Sequence, residues 1–461
     1  MLANQTGRVE RKWYDSAYAS LCGLGAYLRR TGFFVPLETE LHLHQKTLRY
    51  TPVQKIEMLF VSLLAGAKAV AHSGLTLRAD RALQVAFGLP GCAEQSVLAD
   101  TLDAATDEDV AALRRACDAL FRQHSETMRQ VRQELGRSWL TLDLDLSPCP
   151  TGATAEGGER SYMGRYRSKT GRRLIRVRAA SSQEILWEDV RPGRTVESLA
   201  VLKEAVGAVE ALLGLGEESG DPFADEAARH WRTRVEWRLD SGWGSEDSVN
   251  WLLSRGYQVT GKLKAWQRVK KLTQAIEPDA WQPTSSPGRE VAPVPSPVPF
   301  SRATRQYAVR TPAAKKPGGF YHAVLFTTRD DLTMEEAVDH YDARAGIEAD
   351  LKSDKQGLGL SRLRKRKLAA QRMLVLLSAL AHNVLLWARR WLTPVAPRLA
   401  GLGIVRLVRE VWAIPGRVKL VGAPPGSPVR IRLRLAHPRA ADVGRGLRLL
   451  LDETEPILVV G

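Results

Sequence analysis

Tyr341, Arg344, Glu348 and Lys355 recur at steps of three, four and seven residues in the stretch YDARAGIEADLKSDK. An α-helix turns about 100° per residue, so one continuous helix would gather a phenol, a guanidinium, a carboxylate and an ammonium within an arc of roughly 60°. The narrow stripe of an amphipathic helix is normally apolar, whereas here Ala343, Ala345 and Ala349 lie on the other side. A solvated face with an i,i+4 Arg344–Glu348 pair accounts for the spacing equally well by itself. Further carboxylates shift the balance. Asp143 and Asp145 share one face of the strand SWLTLDLDLS, opposite Leu142, Leu144 and Leu146. Asp240 ends the strand TRVEWRLD and precedes SGWG, and strand carboxyl ends are common places for active sites in α/β sheets. Two carboxylates on neighbouring strands and a third on a facing helix can hold two divalent ions roughly 4 Å apart. Mg²⁺ prefers such oxygen ligands and keeps waters for a phosphate substrate. One ion would activate water or a 3′-hydroxyl and the other would stabilise the leaving oxygen. Arg344 and Lys355 would then place DNA phosphates beside them.

The elements that must position these groups are legible from periodicity. Residues 1–135 read as mostly helical: TPVQKIEMLFVSLLAGAKAVA has Thr51 as N-cap and Pro52 at the first helical position, and the stretch from Thr106 to Leu135 reads as one long helix. Short helices between them, around LRADRALQVAFGLP and SVLADTLDAA, permit a helix-turn-helix-like DNA reader. From Ser138 the texture changes to three strands, a helix capped by Thr195, the Asp240 strand, a helix ending at Gly256 and the strand YQVTGKL, which predicts a mixed sheet flanked by helices. Residues 264–332 interrupt that order with a Pro/Ser-rich stretch and two paired strands, and read as an insertion with its own small β-structure. A single helix capped by Thr333 then carries Tyr341 to Lys355, and an apolar helix follows from Leu368 to Leu392. The resulting division is 1–135, 136–263, 264–332, 333–395 and 396–461, the last with a helix, two short strands and a final helix.

The chain has 461 residues, a formal net charge of +16 and a pI near 9.8, which predicts attraction to a polyanion. Met1 to Asp15 is polar and charged and shows no signal segment. MLVLLSALAHNVLLWA is short for a bilayer span and contains His382 and Asn383, so it reads as a buried helix and no membrane is expected. Cys22, Cys92, Cys117 and Cys149 lie far apart, as in a reduced cytosolic protein. No Gly-rich phosphate loop of the G-x-x-x-x-G-K-[ST] form occurs, and HLH at 42–44 has no partner ligands nearby. Two basic runs stand out: GERSYMGRYRSKTGRRLIRVR, with Arg165, Arg167 and Lys169, and SRLRKRKLAAQR, with Arg362, Arg364, Lys365 and Arg366. Both read as phosphate-contacting surface rather than merely solvated charge.

On these residues the chain resembles the DDE transposases of bacterial insertion sequences, in the cut-and-paste group marked by Y-(2)-R-(3)-E-(6)-K. Tyr341, Arg344, Glu348 and Lys355 match that signature at every position, Asp145-Leu146-Ser147 matches the D-x-[ST] setting of the first acid better than Asp143 does, and RLDSGWGS carries the second acid, Asp240. The resemblance covers roughly residues 40–415. It implies an α/β fold with an RNase H-like mixed-sheet core, split by a β-rich insertion and preceded by an α-helical DNA-binding region. It implies Asp145, Asp240 and Glu348 as catalytic ligands of two Mg²⁺ or Mn²⁺ ions, with Tyr341, Arg344 and Lys355 placing the DNA strand. The implied partners are double-stranded DNA, as terminal inverted repeats and target, and a second copy of the chain in a homodimer on DNA at the bacterial nucleoid. Members of the group often pass through a hairpinned end, with an aromatic residue of the insertion holding a flipped base. Trp266 and Trp281 are the candidates, and both read as core. A Mg²⁺-dependent nuclease of the same fold, or a non-catalytic regulator derived from a transposase, remain as other readings.

Overall fold

Leucines alternating with polar residues over 140–147 make a strand with one oily and one polar face, and the whole architecture follows from covering both. The computed structural model describes residues 13–47, 49–133, 138–163, 169–214, 229–313, 319–362, 364–420, 429–451 and 458–460. Its strands are β1 (Trp13–Ser16), β2 (Leu140–Pro150), β3 (Glu159–Arg160), β4 (Thr170–Ala179), β5 (Ile185–Pro192), β6 (Val235–Leu239) and β7 (Gln258–Lys262). The later ones are β8 (Gln282–Pro283), β9 (Glu290–Pro293), β10 (Arg305–Pro312), β11 (Phe320–Thr327), β12 (Gly416–Leu420), β13 (Val429–Arg434) and β14 (Leu458–Val460).

One large sheet runs β3-β4-β2-β6-β7-β11-β10-β9-β8, with β5 also paired to β4. β4 pairs antiparallel with both β5 and β2, and β6 and then β7 add parallel to β2. The predicted insertion does not keep its β-structure to itself. β11 pairs antiparallel with β7, so strands from 282–327 extend the main sheet. An uncovered β7 edge would leave backbone groups unpaired, and β11 satisfies them.

The apolar face carries Leu140, Leu142, Leu144, Val177, Trp237, Leu239 and Val259, packed with Leu202 and Val206 of helix Leu199–Leu213 and Val249 and Leu252 of helix Glu246–Ser254. The opposite face carries Asp143, Asp145, Arg176, Arg178, Glu236 and Arg238, and lies beneath helices Met334–Asp342 and Ala345–Gly357. Helix Leu368–Leu392 packs against β5 and against helices Pro52–Leu64, Gln95–Asp103, Asp107–His124 and Ala440–Leu451. It is long and apolar enough to cross a membrane by length and composition, yet 83% of its apolar window is buried inside the protein. The N-terminal helices therefore share one core with the sheet and the tail.

Several local expectations shift. The 106–135 segment breaks at Ser125, whose hydroxyl accepts from Met128 N, while the Glu184 carboxylate accepts from Ser125 Oγ and from the backbone N–H groups of Glu126 and Thr127. A buried carboxylate at the new N-terminus stabilises the second start. Ser198, not Thr195, caps Leu199–Leu213. Thr333 and Glu336 form the capping box expected near Thr333, but the helix divides after Asp342. N–H groups of Arg344, Gly346 and Ile347 each reach back three residues, a 3₁₀-type tightening. Residues 1–135 are not only helical either: β1 joins β12, β13 and β14 in a second sheet, so the N-terminal and C-terminal segments close on each other.

Candidate active site

Leu144 and Leu239 are register partners in the parallel β2–β6 pair, so the next residue on each chain, Asp145 and Asp240, comes up side by side at the carboxyl end. Glu348 descends from helix Ala345–Gly357, which packs on β2. The three carboxylates converge on one guanidinium. Arg344 Nη1 lies 3.3 Å from Asp145 Oδ1, and Nη2 lies 3.5 Å from Asp240 Oδ1 and 3.5 Å from Glu348 Oε1. The side chain of Arg344 is 6% exposed and forms the floor, while those of Asp145, Asp240 and Glu348 are 13%, 43% and 64% exposed in rising order. Burial pushes the Asp145 carboxyl up to about 6. The Glu348 and Asp240 charges add to that rise, and Arg344 and Lys355 oppose it.

Tyr341 sits beneath Arg344. It is 4% exposed, packed in a small cluster with Tyr307, Leu325 and Val338, and burial pushes its phenol up to about 12. Lys262 Nζ stands 5.0 Å from its ring centroid. Tyr341 and Arg344 thus support the carboxylates from within. Lys355 Nζ donates to Ser147 Oγ at 3.4 Å and lines a groove of ≈ 790 Å³ together with Asp145, Glu348, Lys352 and Arg364.

A second layer, of which the sequence reading singled out only Asp143, holds this arrangement. Asp143 is fully buried, with Oδ1 and Oδ2 accepting from Arg238 at 2.7 and 2.9 Å and Oδ2 from Arg178 at 3.1 Å. Arg178 continues to Asp350 at 2.5 Å, and Arg238 donates to the carbonyl of His340 at 2.6 Å. A Cβ at Gly346 would stand 3.0 Å from Arg178 Nη1, so glycine there lets the guanidinium reach under the helix. Arg176 pairs with Glu188 and Asp354, and Asp354 also receives His382 at 2.8 Å. Glu236 takes His340 at 2.8 Å and Arg329 at 3.3 Å. A signal for this layer was visible: charges at two-residue steps, Arg176 and Arg178 in RRLIRVR and Glu236 and Arg238 in VEWRLD, mark one face of each strand.

The basic run after the helix divides. Arg362 and Arg364 are exposed. Lys169 is exposed too and shares a second groove of ≈ 430 Å³ with Arg364. Lys365 is held by Asp103 at 2.5 Å and by the carbonyl of Ala99, which ties the basic run to helix Gln95–Asp103. Arg366 is exposed and donates to the carbonyl of Thr154. Arg165 and Arg167 lie outside the described residues. Trp266 is 66% exposed on helix Trp266–Gln274 and is not core, whereas Trp281 packs partly against the core, with Arg310 4.4 Å from its ring centroid.

Among the described residues no group of three or more His, Cys, Asp or Glu side chains is drawn close enough to hold a metal ion as it stands. The Arg344 guanidinium lies between the acids and holds them around itself. The donor set nonetheless fits a hard divalent cation, being three solvent-reachable carboxylates whose mutual repulsion already raises the proton affinity of Asp145.

Comparison with known proteins gives two findings. The family model described as transposase DDE domain group 1 matches residues 24–418. The piggyBac transposase, from a cryo-EM structure of its synaptic complex with hairpin DNA, is similar at TM-score 0.44 and 10% identity, over 87% of this chain and 82% of that one. No curated protein matches the sequence.

Proposed function

The chain belongs to the transposase family with the group 1 DDE domain, and we propose that it cuts DNA at terminal inverted repeats and joins the 3′-hydroxyl ends to target DNA. The observation that carries this reading is the convergence of Asp145, Asp240 and Glu348, from two strands and a facing helix, on Arg344. We read β5-β4-β2-β6-β7 as the RNase H-like core, with 264–332 as its insertion.

Asp145, Asp240 and Glu348 are the residues that would hold two Mg²⁺ or Mn²⁺ ions. Such ions, when bound, activate water or a 3′-hydroxyl and stabilise the leaving oxygen. The protein's own part is positioning. Asp145 and Asp240 are fixed by strand register, and Glu348 is fixed by a helix tied down through Asp350 and Asp354. Arg344 keeps three like charges together in the free enzyme. With those carboxylates engaged by a cation, the Arg344 guanidinium would be free to pair with a DNA phosphate. Lys355, Arg364 and Lys169 line the adjoining grooves and supply sequence-independent phosphate contacts. Two DNA ends must be paired, so the working form is a homodimer on DNA, in a bacterial nucleoid.

The test uses DNA flanking the gene, Mg²⁺, wild type and Glu348→Gln. Nicks at an inverted repeat that vanish in the variant, followed by joined products, support transposition. Cuts without joining would make the protein a nuclease. Binding without any cutting, under Mg²⁺ and Mn²⁺ alike, would make it a regulator.

A further inference from the structure

The small sheet formed by both ends of the chain has one apolar face and one basic face. Val418, Ile431 and Leu433 are buried in the common core. The alternate residues Arg417, Lys419, Arg430, Arg432 and Arg434 therefore point the other way. Strand register places Arg417 opposite Arg432 and Lys419 opposite Arg430. Like charges directly across a sheet destabilise it, so fold stability alone does not account for this pattern. The β1 residues on the same face are Trp13 and Asp15. Asp15 pairs with Arg417 at 3.3 Å, and the Arg432 guanidinium lies 4.5 Å from the Trp13 ring centroid. A groove of ≈ 770 Å³ opens where the sheet ends, lined in part by Arg417, Arg432 and Arg434.

We propose that this face is a second DNA-backbone site, separate from the candidate active site, that holds duplex DNA through its phosphates. The inference rests on the reading that the partner is DNA. Alternate residues on a strand stand roughly 6.7 Å apart, so Arg430, Arg432 and Arg434 span roughly 13 Å, the axial rise of about four nucleotides of one strand. Trp13 is the one aromatic among the described strand residues of this face and Arg432 already lies over its ring, so charge outweighs stacking here, which favours a duplex over a single strand. A site here would steady DNA by charge alone and leave sequence and chemistry to other surfaces.

The experiment is equilibrium binding of the full chain to a duplex of arbitrary sequence, without divalent ions, over a range of salt. Neutralising Lys419→Gln, Arg430→Gln and Arg434→Gln together should make the plot of log affinity against log salt shallower by about three, near one per lost phosphate contact. Affinity at physiological salt should fall about ten-fold or more. A matched variant with exposed Arg132, Arg398 and Arg409 changed to Gln should keep the wild-type slope. If the triple variant does not fold, Arg434→Gln alone, at an exposed position, should reduce the slope by about one. A wild-type slope in the triple variant overturns the proposal, as does an equal loss in the matched control. Cleavage is scored separately: a chain that binds through the sheet yet never cuts refutes the transposition chemistry and leaves this surface standing.

Discussion

Asp143 and Asp145 stand two residues apart on one face of β2, yet one is sealed and the other lines a groove. Asp143 is fully buried between Arg238 and Arg178, whereas Asp145 faces Asp240 and Glu348 across the Arg344 guanidinium. Register decides the difference, because Arg178 and Arg238 are the strand partners of Asp143 on either side. Asp143→Asn should therefore cost about 3–5 kcal/mol, since it leaves two buried guanidinium groups short of their counter-ion. Urea unfolding measures it. An unchanged midpoint with lost cleavage would instead make Asp143 the metal ligand.

Asp145→Asn should behave in the opposite way. The Asp145 carboxyl is held at about 6, above its ordinary 3.8, so between those values the folded protein keeps a proton there that the unfolded chain has released. Stability contributed by that proton is present below the unfolded value and lost as pH rises through the folded one. The variant removes the titration. Near neutral pH it should be as stable as wild type or more so, by on the order of 1–2 kcal/mol, with the gain gone below about pH 4. Cleavage should be abolished. A variant less stable than wild type at neutral pH would contradict this electrostatic picture.

Arg344→Ala removes the cation that occupies the acid cluster. Mn²⁺, titrated by thermal shift, should bind the variant more tightly, up to about ten-fold, because a charged hydrogen bond no longer competes. On the proposed role of Arg344 in placing the DNA strand, cleavage should nonetheless fall. Arg344→Lys should cleave poorly too, because a point charge cannot fork among three carboxylates. Unaltered Mn²⁺ affinity in Arg344→Ala would show that Arg344 and the ions do not share these ligands.

His382 lies far along the chain from the acids but anchors their helix through Asp354 at 2.8 Å. Burial opposes a charge on its ring, yet the Asp354 carboxylate holds the imidazole above its ordinary 6.5. The stability this pair contributes is full below the unfolded value and is lost as pH rises through the higher folded one. His382→Gln should therefore cost most on the acid side of 6.5 and progressively less in alkaline buffer. Denaturation midpoints across pH would show it, and a flat difference would assign His382 to packing alone.

Trp266 is 66% exposed, so Trp266→Ala should leave the melting temperature within error. If the ring holds an extruded base during hairpin formation, affinity for hairpinned ends should drop by about 1–3 kcal/mol while affinity for blunt duplex stays. Equal affinities for both DNA forms would remove Trp266 from that role.

What the sequence determined by itself was local. Thr51 and Thr333 cap where their side chains reach the next turn, the 140–147 alternation makes a strand, and the Leu368–Leu392 run makes a buried helix. Each needs only neighbours within a few residues. The acid positions were legible too, because strand ends and i,i+4 spacing are written in the chain. What only the tertiary structure decided was partnership over long separations. Lys365 reads as one base of a run until Asp103 pairs with it, and Asp143 looks equivalent to Asp145 until Arg238 arrives from β6. β11 could have stayed within its insertion but completes the β7 edge, and β1 finds β12 at the other end of the chain. A charge or a strand edge carries no mark of which distant group will satisfy it. That choice is made by register and packing, once the sheet has brought both partners to the same face.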